Sequence, residues 1–595
     1  MAIVYSQTMF KHLFQRKTDF AQADGFALNR VLKLKDLVFF GIAAIIGGGI
    51  FSSIGDACAS AGPAVVWLFV ICGVACALAA LCYAEFAARI PTSGSAYTYA
   101  YASFGELFAW IIGWALIMEY AIGNIYVSFA WSGYFTHILD AIGWDLPRYL
   151  ITDYRSALES VEAVGAAMAA QGISITELSD SAQWVGQHMN QDQAAAWTAW
   201  HTAPTLGSLH LIADLPAFAI NVIITALVYR GVQESRNSSN AMVIIKLAVV
   251  LLVIVVGAFY VDAENFKPFM PTGFGGVLAG ISAVFFTYIG FDAISTLAEE
   301  TENPQRNLPL GMFWALAICT VLYILISLVL TGMVPYTQLG VADPLALAFS
   351  SKGIRWMEFL VSISAVVAMT SVLLVFQMGQ PRIWMSMSRD GLLPKAFSRV
   401  HPRFKTPSFS TLMTGVLVGL PLFFVNDSFV LDFTSIGTLF AFVLVCGGVL
   451  LLPKREVTPG KFHLPYWPSR WAFPLLSGLT YWGLWVQWPE FFDHLLYASD
   501  SAEILKHLGC EPNLHDPQTT WLSHQLYWFA FLPMLVLLAA WKNASLIPLL
   551  GLAFCTYLLT GMEASNWQWF FLWFGIGLIV YFAYGYRKSH LRHVE

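Results

Sequence analysis

Apolar stretches long enough to cross a membrane recur along this chain from Leu37 to Tyr586. A helix needs about 20 mostly apolar residues to span a hydrocarbon core of roughly 30 Å. Charged residues make up 11% of the 595 residues and hydrophobic residues 57%, whereas soluble proteins average about 25% charged residues. The sequence therefore predicts an all-α polytopic membrane protein and excludes a soluble domain.

The apolar windows predict about fourteen membrane helices. They lie near 36–60, 63–88, 106–139, 208–229, 239–260, 276–299, 309–334, 356–386, 409–425, 428–452, 471–489, 524–541, 545–562 and 567–586. If the N-terminus is cytoplasmic, the loops after even-numbered helices carry most of the Lys and Arg residues. The positive-inside rule then predicts that both termini are cytoplasmic in a multi-pass protein of the cell (inner or plasma) membrane. The first 34 residues lack an apolar core with a cleavage site, so we expect no removable signal peptide.

Composition also divides the chain into a core and additions. We expect a cytoplasmic N-terminal segment at 1–35, a ten-helix core at 36–452, additional C-terminal helices at 453–586 and a cytoplasmic tail at 587–595. Two long segments fall on the opposite side: a helical insertion at 140–207, between helices three and four, and a loop at 490–523. Because loops tolerate insertions, we interpret both as accessory structure, with a lid or partner-binding role as the alternative.

Three consecutive glycines, Gly47, Gly48 and Gly49, lie in the middle of the first predicted helix. Glycine in a helix interior costs about 1 kcal/mol relative to alanine, so three together favour an unwound turn. Bare backbone at membrane depth is tolerated only where it lines a cavity or is covered by protein. The alternative is a close helix crossing, because small residues let two backbones approach.

The sixth predicted helix has a matching interruption, where Gly290, Phe291 and Asp292 follow one another in an otherwise apolar stretch. Helices one and six are the first members of two five-helix groups. Because five is odd, the second group enters the membrane from the opposite side, as an inverted repeat requires. Interrupted helices at matching positions of two such halves indicate a binding site near the membrane midplane.

The ends of the half-helices predict what such a site binds. Exposed amides at the start of the outer half of helix one can bind a carboxylate, and exposed carbonyls at the ends of the other halves can bind an ammonium group. The predicted amides are those of Gly48, Gly49 and Ile50, and the predicted carbonyls lie near Ile45, Ile46, Phe286 and Tyr288, beside Gly47 and Gly290. Paired anion and cation sites suit a zwitterion, so an amino acid fits better than a sugar or an inorganic ion.

Several longer motifs occur in a fixed order along the chain. They are Gly41 to Phe51; Tyr83 to Tyr97; Glu119-Tyr120; Phe285 to Asp292 with Ala298 to Pro304; and Ser388 to Pro394. As a set, they resemble the amino acid–polyamine–organocation superfamily, and within it the cationic amino acid transporter family and its bacterial relatives. The resemblance covers roughly residues 30–450.

The resemblance implies a leucine-transporter-type fold, in which two five-helix inverted repeats with discontinuous helices 1 and 6 work by alternating access. The count of fourteen leaves about four further C-terminal transmembrane helices, which is similar to the cationic family. The insertion at 140–207 departs from the usual short connection, and its role stays open.

Lys246 lies about two turns into helix five from its cytoplasmic end. By itself, it is equally consistent with a lysine that reaches to the membrane interface. The resemblance implies a proton-coupling role, because proton-coupled members carry a lysine here that stands in for a sodium ion. Its ammonium group would then brace helix one against the hydroxyls of Thr370 and Ser371 on helix eight.

Three residues near the predicted site carry further expectations. Glu119, near the centre of helix three, is expected to line the substrate pocket, with a structural hydrogen bond as the alternative. Asp292 is expected to orient the break in helix six or to cap its inner half, since carboxylates favour helix N-termini. Phe291 occupies the family's position for an aromatic gate over bound substrate, with plain packing as the alternative.

Charged residues at the cytoplasmic helix ends form a separate group. They are Glu85, Arg89, Glu299, Glu300, Arg306, Arg389 and Asp390. Surface ion pairs contribute only about 0–1 kcal/mol to stability, yet they can bias an inner gate. We therefore expect gating and topological roles for these residues.

Other chemistries have no supporting pattern. Seven of the eight cysteines lie in apolar spans, and only Cys510 lies in a polar loop. The histidines have no ligand spacing, and no nucleophile–base pair or phosphate loop occurs. We expect no metal, no cofactor, no nucleic-acid partner and no enzymatic activity.

The expected function is therefore secondary active transport of amino acids, most simply by proton-coupled symport. The expected partners are an amino acid, a proton and the lipid bilayer, and the oligomeric state stays open. The family name indicates cationic substrates, but Met369 and the apolar stretch around it offer no second carboxylate, so neutral amino acids are equally open. The alternatives are an exchanger of amino acids or polyamines and a non-transporting amino acid sensor.

Overall fold

The computed structural model is predominantly helical. It describes residues 13–17, 32–92, 94–170, 178–189, 191–230, 235–273, 277, 280–341, 343–404, 406–452, 461–487, 531–541, 544–560, 562 and 564–592. The predicted loop at 490–523 lies outside the described residues, as do most of the first 31 residues.

The N-terminal part of the fold contains one broken helix and two long ones. Its elements are α1 (Leu34–Ile45), α2 (Ile54–Ala61), α3 (Val65–Arg89), α4 (Ser95–Ser103) and α5 (Glu106–Ala141). A short π-helical turn, Gly49–Ser53, leads into α2. The first predicted span is therefore occupied by α1, this turn and α2 together.

The predicted insertion folds into three helices, α6 (Tyr154–Ala170), α7 (Leu178–His188) and α8 (Gln191–Thr202), followed by a two-stranded hairpin, β1 (Thr205–Leu206) and β2 (Leu209–His210). The helices have a small core of their own, formed by Val164, Trp184, Val185 and Trp197. The insertion also contacts the helical bundle, because Asn426 donates a 2.9 Å hydrogen bond to Glu159.

The rest of the fold is again a series of apolar helices. They are α9 (Leu215–Arg230), α10 (Ser235–Ala258), α11 (Ile281–Phe286), α12 (Pro304–Met333), α13 (Pro344–Ser350), α14 (Arg355–Arg389), α15 (Ser408–Gly419), α16 (Asp427–Val449), α17 (Ser469–Gln487), α18 (Phe531–Trp541), α19 (Leu546–Thr560) and α20 (Ala564–Val580). A 3-10 helix, Phe291–Glu300, follows α11 within the sixth predicted span.

Within the described residues, six helices are long and apolar enough to cross a membrane, and five shorter helices are also apolar. Each of the fourteen predicted windows contains at least one described helix. The all-α polytopic class predicted from the sequence is therefore confirmed.

The long helices α3, α5, α12 and α14 pack in two pairs, and α1 joins the pairs because it contacts both α12 and α14. Helix α5 lies along α14 and α16, and α3 lies along α12 and α19. Small side chains on α3, namely Cys72, Ala75, Cys76 and Ala79, are completely buried. In a membrane the hydrophobic effect does not drive helices together, so close packing depends on small residues that let helix backbones approach. By contrast, α17 exposes Trp471, Leu475 and Trp482, which suits a helix that faces lipid.

Candidate substrate site

The first helix is interrupted at the glycine triplet. Helix α1 ends at Ile45, and Ile46 has an extended backbone, with φ −80° and ψ 104°. The amide of Ile46 still donates to the carbonyl of Ile42, at 3.0 Å. Helical backbone angles resume at Gly48, with φ −51° and ψ −32°. The backbone therefore leaves the helical path where the sequence predicts an unwound turn.

The glycines also allow the break to pack closely. A Cβ atom at Gly49 would lie 2.6 Å from the Cα of Thr287, and one at Gly47 would collide with the side chain of Val372. Gly48 faces the ring of Tyr126. The two interpretations of the triplet, unwinding and close approach, are therefore both met at the same place.

The second interruption lies beside the first. Helix α11 ends at Phe286, two tight turns follow, and Gly290 takes φ +113° before the 3-10 helix begins. This conformation suits glycine, which has no Cβ atom. A Cβ at Gly290 would also lie 2.8 Å from that of Ala44 on α1. Each break is therefore packed directly against the other broken helix.

The carbonyl groups at these ends have three kinds of partner: a lysine, a tyrosine and a backbone amide. The carbonyl oxygen of Ile46 accepts a hydrogen bond from Lys246, at 2.8 Å. Those of Ile45 and Thr287 each lie 2.9 Å from the hydroxyl of Tyr323. The carbonyl of Phe286 accepts from the amide of Ile289, at 3.2 Å. Backbone carbonyls of both breaks therefore converge at the hydroxyl of Tyr323.

Tyr288 lies at the second break with its side chain turned away from the first. Its hydroxyl donates to the carbonyl of Phe69 on α3, at 2.8 Å. A substrate contact would therefore have to come from its backbone, which is the part of Tyr288 predicted from the sequence.

A small cavity of about 10 Å³ lies between the two breaks, roughly the space for the centre of one water molecule. It is lined by Ala44, Ile45, Gly47, Gly48, Gly49, Val127, Phe286, Ile289, Val372 and Phe376. Five of these residues were predicted from the sequence as substrate contacts. Because an amino acid is much larger than this cavity, its walls must move apart before a substrate can enter.

The cavity walls are apolar or glycine, and the first amides of the outer half of helix one, those of Gly48, Gly49 and Ile50, lie at the same place. The first amides of a helix have no carbonyl partner within it and carry the positive end of its dipole. The arrangement thus combines polar backbone groups with an apolar space, which is typical of sites for small molecules.

Lys246 on α10 is completely buried and contacts the end of the inner half of helix one. Its ammonium nitrogen lies 3.0 Å from the carbonyl oxygen of Ala43 and 2.8 Å from that of Ile46. The third partner is the hydroxyl oxygen of Ser371 on α14, at 3.0 Å. An ammonium group donates up to three hydrogen bonds, so its donors are all used here.

The two predicted hydroxyls on helix eight differ in position. Ser371 donates its own proton to the carbonyl of Ala368, at 2.6 Å, and so presents a lone pair to Lys246. Thr370 instead accepts from the indole nitrogen of Trp131, at 3.0 Å, and donates to Val366. Only Ser371 of the predicted pair lies at the lysine.

Glu119 on α5 is buried beside Asp292 and Thr438, and it does not belong to the cavity lining. Asp292 lies close to the backbone amides around Gly290 and faces the hydroxyl of Tyr120, at 3.4 Å. Within the described part of the chain, one oxygen of each carboxyl group, Glu119 Oε2 and Asp292 Oδ1, has no hydrogen-bond partner. The pocket role of Glu119 and the orienting role of Asp292 stay predictions.

Phe291 lies directly after the second break, with its ring turned toward α16 and α3. The ring centroid lies 5.0 Å from that of Phe442 and 5.9 Å from that of Tyr83. The ring does not line the cavity in this conformation. A gating role would therefore require the 3-10 helix to rotate, and it stays a prediction.

The predicted inner-gate residues lie at helix ends, and several join separate elements. Glu85 pairs with Arg89, at 2.6 Å, and accepts a 2.7 Å hydrogen bond from the amide of Leu464 in the segment before α17. Glu300 pairs with Arg382 on α14, at 2.8 Å. The N-terminal segment thus lies close to these elements, because Leu32 pairs with the backbone of Thr301.

Residues near both ends of the chain contact the segment that follows α14. Asp390 accepts hydrogen bonds from Lys17 and Tyr97, each at 2.7 Å, and its carbonyl accepts from the amide of His590, at 3.1 Å. The remaining predicted residues occupy helix ends: Glu299 is buried near the end of the 3-10 helix, Arg306 lies in the first turn of α12 and Arg389 ends α14.

Several residues of the site were missed from the sequence: Ala44, Val127, Thr287, Ile289, Tyr323, Val372 and Phe376. Most are plain apolar residues on helices, where nothing in the sequence separates a cavity wall from ordinary packing. Tyr323 gave no signal because an isolated tyrosine in an apolar span is more simply an interfacial anchor.

These observations define a class, a polytopic membrane transporter with a closed site between two interrupted helices. Comparison with known proteins gives the family. The family model for amino acid permeases matches residues 32–490, and the model for the C-terminus of these permeases matches residues 546–589.

Individual relatives cover most of the chain. A methylthioribose transporter of Bacillus subtilis (strain 168) is 38% identical over 80% of this chain and 94% of its own length. The branched-chain amino acid permease BcaP of the same organism is 40% identical over 76% of this chain and 86% of its own length. Cationic amino acid transporter 4 of Homo sapiens is 30% identical over 95% of this chain and 88% of its own length.

The chain therefore belongs to the amino acid permease family, and the predicted family resemblance is confirmed. It is a multi-pass membrane protein that transports amino acids and not an enzyme.

Proposed function

We propose that this permease moves small and medium-sized neutral amino acids together with protons, by alternating access of a leucine-transporter-type inverted repeat. The substrate carboxylate binds the amides of Gly48, Gly49 and Ile50, and its ammonium group binds the carbonyls of Ile45 and Thr287. In this proposal both termini face the cytoplasm and the protein lies in the plasma membrane.

The observation that carries this proposal is the contact between the two breaks. Gly48 and Gly49, at the start of one half-helix, and Ile45 and Phe286, at the ends of two others, line a single cavity, and the carbonyls of Ile45 and Thr287 meet at Tyr323. Opposite partial charges a few ångströms apart suit the two charged groups that every α-amino acid carries.

The side chains of the cavity support the proposed substrate class. Val127, Ile289, Val372 and Phe376 supply an apolar wall, and no carboxylate occurs among the lining residues. A lysine or arginine side chain would have to leave its charge unpaired there, which is costly in an apolar site. The similarity to BcaP, a branched-chain amino acid permease by name, also supports a neutral substrate.

Proton coupling is supported by the surroundings of Lys246. Its three hydrogen bonds join α10 to the end of α1 and to Ser371 on α14. Loss of one proton from the ammonium group would remove a donor and weaken this junction, so the protonation state can be coupled to movement of helix one.

The test is uptake into proteoliposomes that contain the purified full-length protein. With L-valine outside and an imposed inward proton gradient, we expect accumulation in vesicles that contain no amino acid. Uptake only after preloading would identify an exchanger and contradict symport. Binding of valine in a thermal-shift assay without any uptake would instead identify a sensor. Competition by arginine and not by leucine would contradict the neutral substrate class.

A further inference from the structure

Tyr323 on α12 contacts the ends of both broken helices through a single atom, its hydroxyl oxygen. It is completely buried. Its ring packs against Phe69 and Tyr288, with centroid distances of 5.8 and 5.5 Å. These neighbours fix the direction of the ring, so the hydroxyl has a defined position between the two breaks.

The hydroxyl has two acceptors and a single proton. Its oxygen lies 2.9 Å from the carbonyl oxygens of both Ile45 and Thr287. A phenol donates only one hydrogen bond and can accept others. At any moment, therefore, one of the two carbonyls is without the proton of Tyr323, although it lies at hydrogen-bonding distance from the oxygen.

Three oxygen atoms of this kind form an acceptor set for a group rich in donors. The carbonyl of Ile45 ends α1 and lies at the negative end of its dipole, and that of Thr287 follows the end of α11. An ammonium group carries three N–H donors and a positive charge. It can therefore satisfy the carbonyl that the phenol leaves unpaired.

We infer that Tyr323 is a positioning residue for the substrate ammonium group. Its hydroxyl fixes the separation of the two carbonyls, and binding of the ammonium group then joins the inner half of helix one to the outer half of helix six. The inference rests on the proposed function, because it takes an α-amino acid as the ligand of the two breaks.

The experiment compares Tyr323→Phe with Tyr134→Phe in the full-length protein. Phenylalanine keeps the ring and removes only the hydroxyl. Tyr134 is a matched control, because it is equally buried and donates a single 2.5 Å hydrogen bond to another carbonyl of the first span, that of Phe51. Both variants are first checked for an unchanged size-exclusion profile.

The measurement is binding of L-valine and of 2-hydroxyisovalerate, which has a hydroxyl in place of the ammonium group. We expect Tyr323→Phe to raise the Kd for valine at least about tenfold, as for a lost hydrogen bond to a charged group, and to change that for the hydroxy acid less than about threefold. Tyr134→Phe should change both less than about threefold. A merely structural tyrosine would weaken the two ligands equally, and that result would overturn the inference.

Transport kinetics give a second readout that does not depend on binding of 2-hydroxyisovalerate. For Tyr323→Phe we expect a KM for valine raised about tenfold, with kcat changed less than about threefold, because the lost interaction is made to the bound substrate. A fall in kcat at unchanged KM would overturn the inference. If the wild-type protein neither binds nor moves a neutral amino acid, the proposed function fails, and the inference fails with it.

Discussion

The two broken helices are held by different chemistry. The break in helix one ends against a buried ammonium group, that of Lys246, which also binds Ser371 on another helix. The break in helix six is fixed by a left-handed glycine, Gly290, and by the neutral hydroxyl of Tyr323. Charge holds the first break, and backbone geometry holds the second.

Because of this difference, the contacts at the first break can be released, whereas the conformation of the second break is fixed. Hydrogen bonds from a charged donor are about twice as strong as neutral ones, but they depend on a proton that can leave. The conformation of Gly290 does not depend on any proton. We therefore expect helix one to be the part whose position responds to protonation, and helix six to supply a constant half of the site.

The largest effect is expected for Lys246→Met, which removes the charged donor at the first break. The carbonyl of Ile46 would lose its ammonium partner, and that of Ala43 would keep only a 3.4 Å contact with Ser371; a buried unsatisfied carbonyl costs about 1–3 kcal/mol. We expect gradient-driven uptake of valine to fall about 100-fold or more. The exposed Lys352→Met is the control. Gradient-driven uptake at the wild-type rate in Lys246→Met would show that the lysine is not the coupling group.

A smaller effect is expected at the second break for Gly290→Ala. Alanine at φ +113°, with its Cβ 2.8 Å from that of Ala44, should lower stability by about 2 kcal/mol, and uptake about 30-fold if the strain falls on the active state. Thermal unfolding in detergent measures the first value and proteoliposome uptake the second. Gly133→Ala is the control, because its Cβ would meet nothing within 4 Å. Equal melting temperatures for the two variants would contradict a rigid second break.

Ser371→Ala and Thr370→Ala test how narrowly the first junction is defined. Ser371 accepts from the ammonium group, whereas Thr370 bonds Trp131. Loss of a hydrogen bond to a charged group, about 1.5–3 kcal/mol, should lower uptake about tenfold in Ser371→Ala, against about threefold or less in Thr370→Ala. Initial uptake rates under an imposed proton gradient give the comparison. The reverse order would move the coupling site toward Trp131.

The smallest effect is expected for Glu119→Gln. Glutamine keeps the shape of the side chain, and Glu119 lies beside Asp292 and Thr438 outside the cavity lining. We expect the KM for valine to change about threefold or less, as for a neutral hydrogen-bond change. Substrate competition across neutral and cationic amino acids is the measurement. An increase of KM by more than about 30-fold, or a new preference for one charge class, would contradict this prediction and show that Glu119 contacts the substrate.

Local chemistry made much of the site predictable from the sequence. Three adjacent glycines at 47–49 are unfavourable in a helix and mark the first break. Gly290, with Asp292 two residues later, marks the second break. A lysine in an apolar span either reaches to the interface or finds buried partners, and Lys246 has three. Each of these signals depends on the energetic cost of one residue in its own helix.

Side-chain direction could not be predicted in this way. Thr370 and Ser371 are adjacent in sequence, yet successive residues on a helix point about 100° apart, so only one reaches the lysine. Phe291 follows a turn whose geometry decides whether its ring meets the cavity or Phe442. Val127 and Val372, which line the cavity, lie on helices that are distant in sequence, and no local sequence pattern identifies them.

The sequence by itself determined the membrane class and the family resemblance, and it marked the positions of the two breaks and of an intramembrane lysine, because each is expressed in composition or in a costly residue. The tertiary structure alone decided that the breaks contact each other, that Glu119 lies apart from the cavity lining and that Tyr323 bridges the carbonyls of Ile45 and Thr287. These features depend on distances between helices that are remote in the chain, and packing sets such distances only once all the helices are in place.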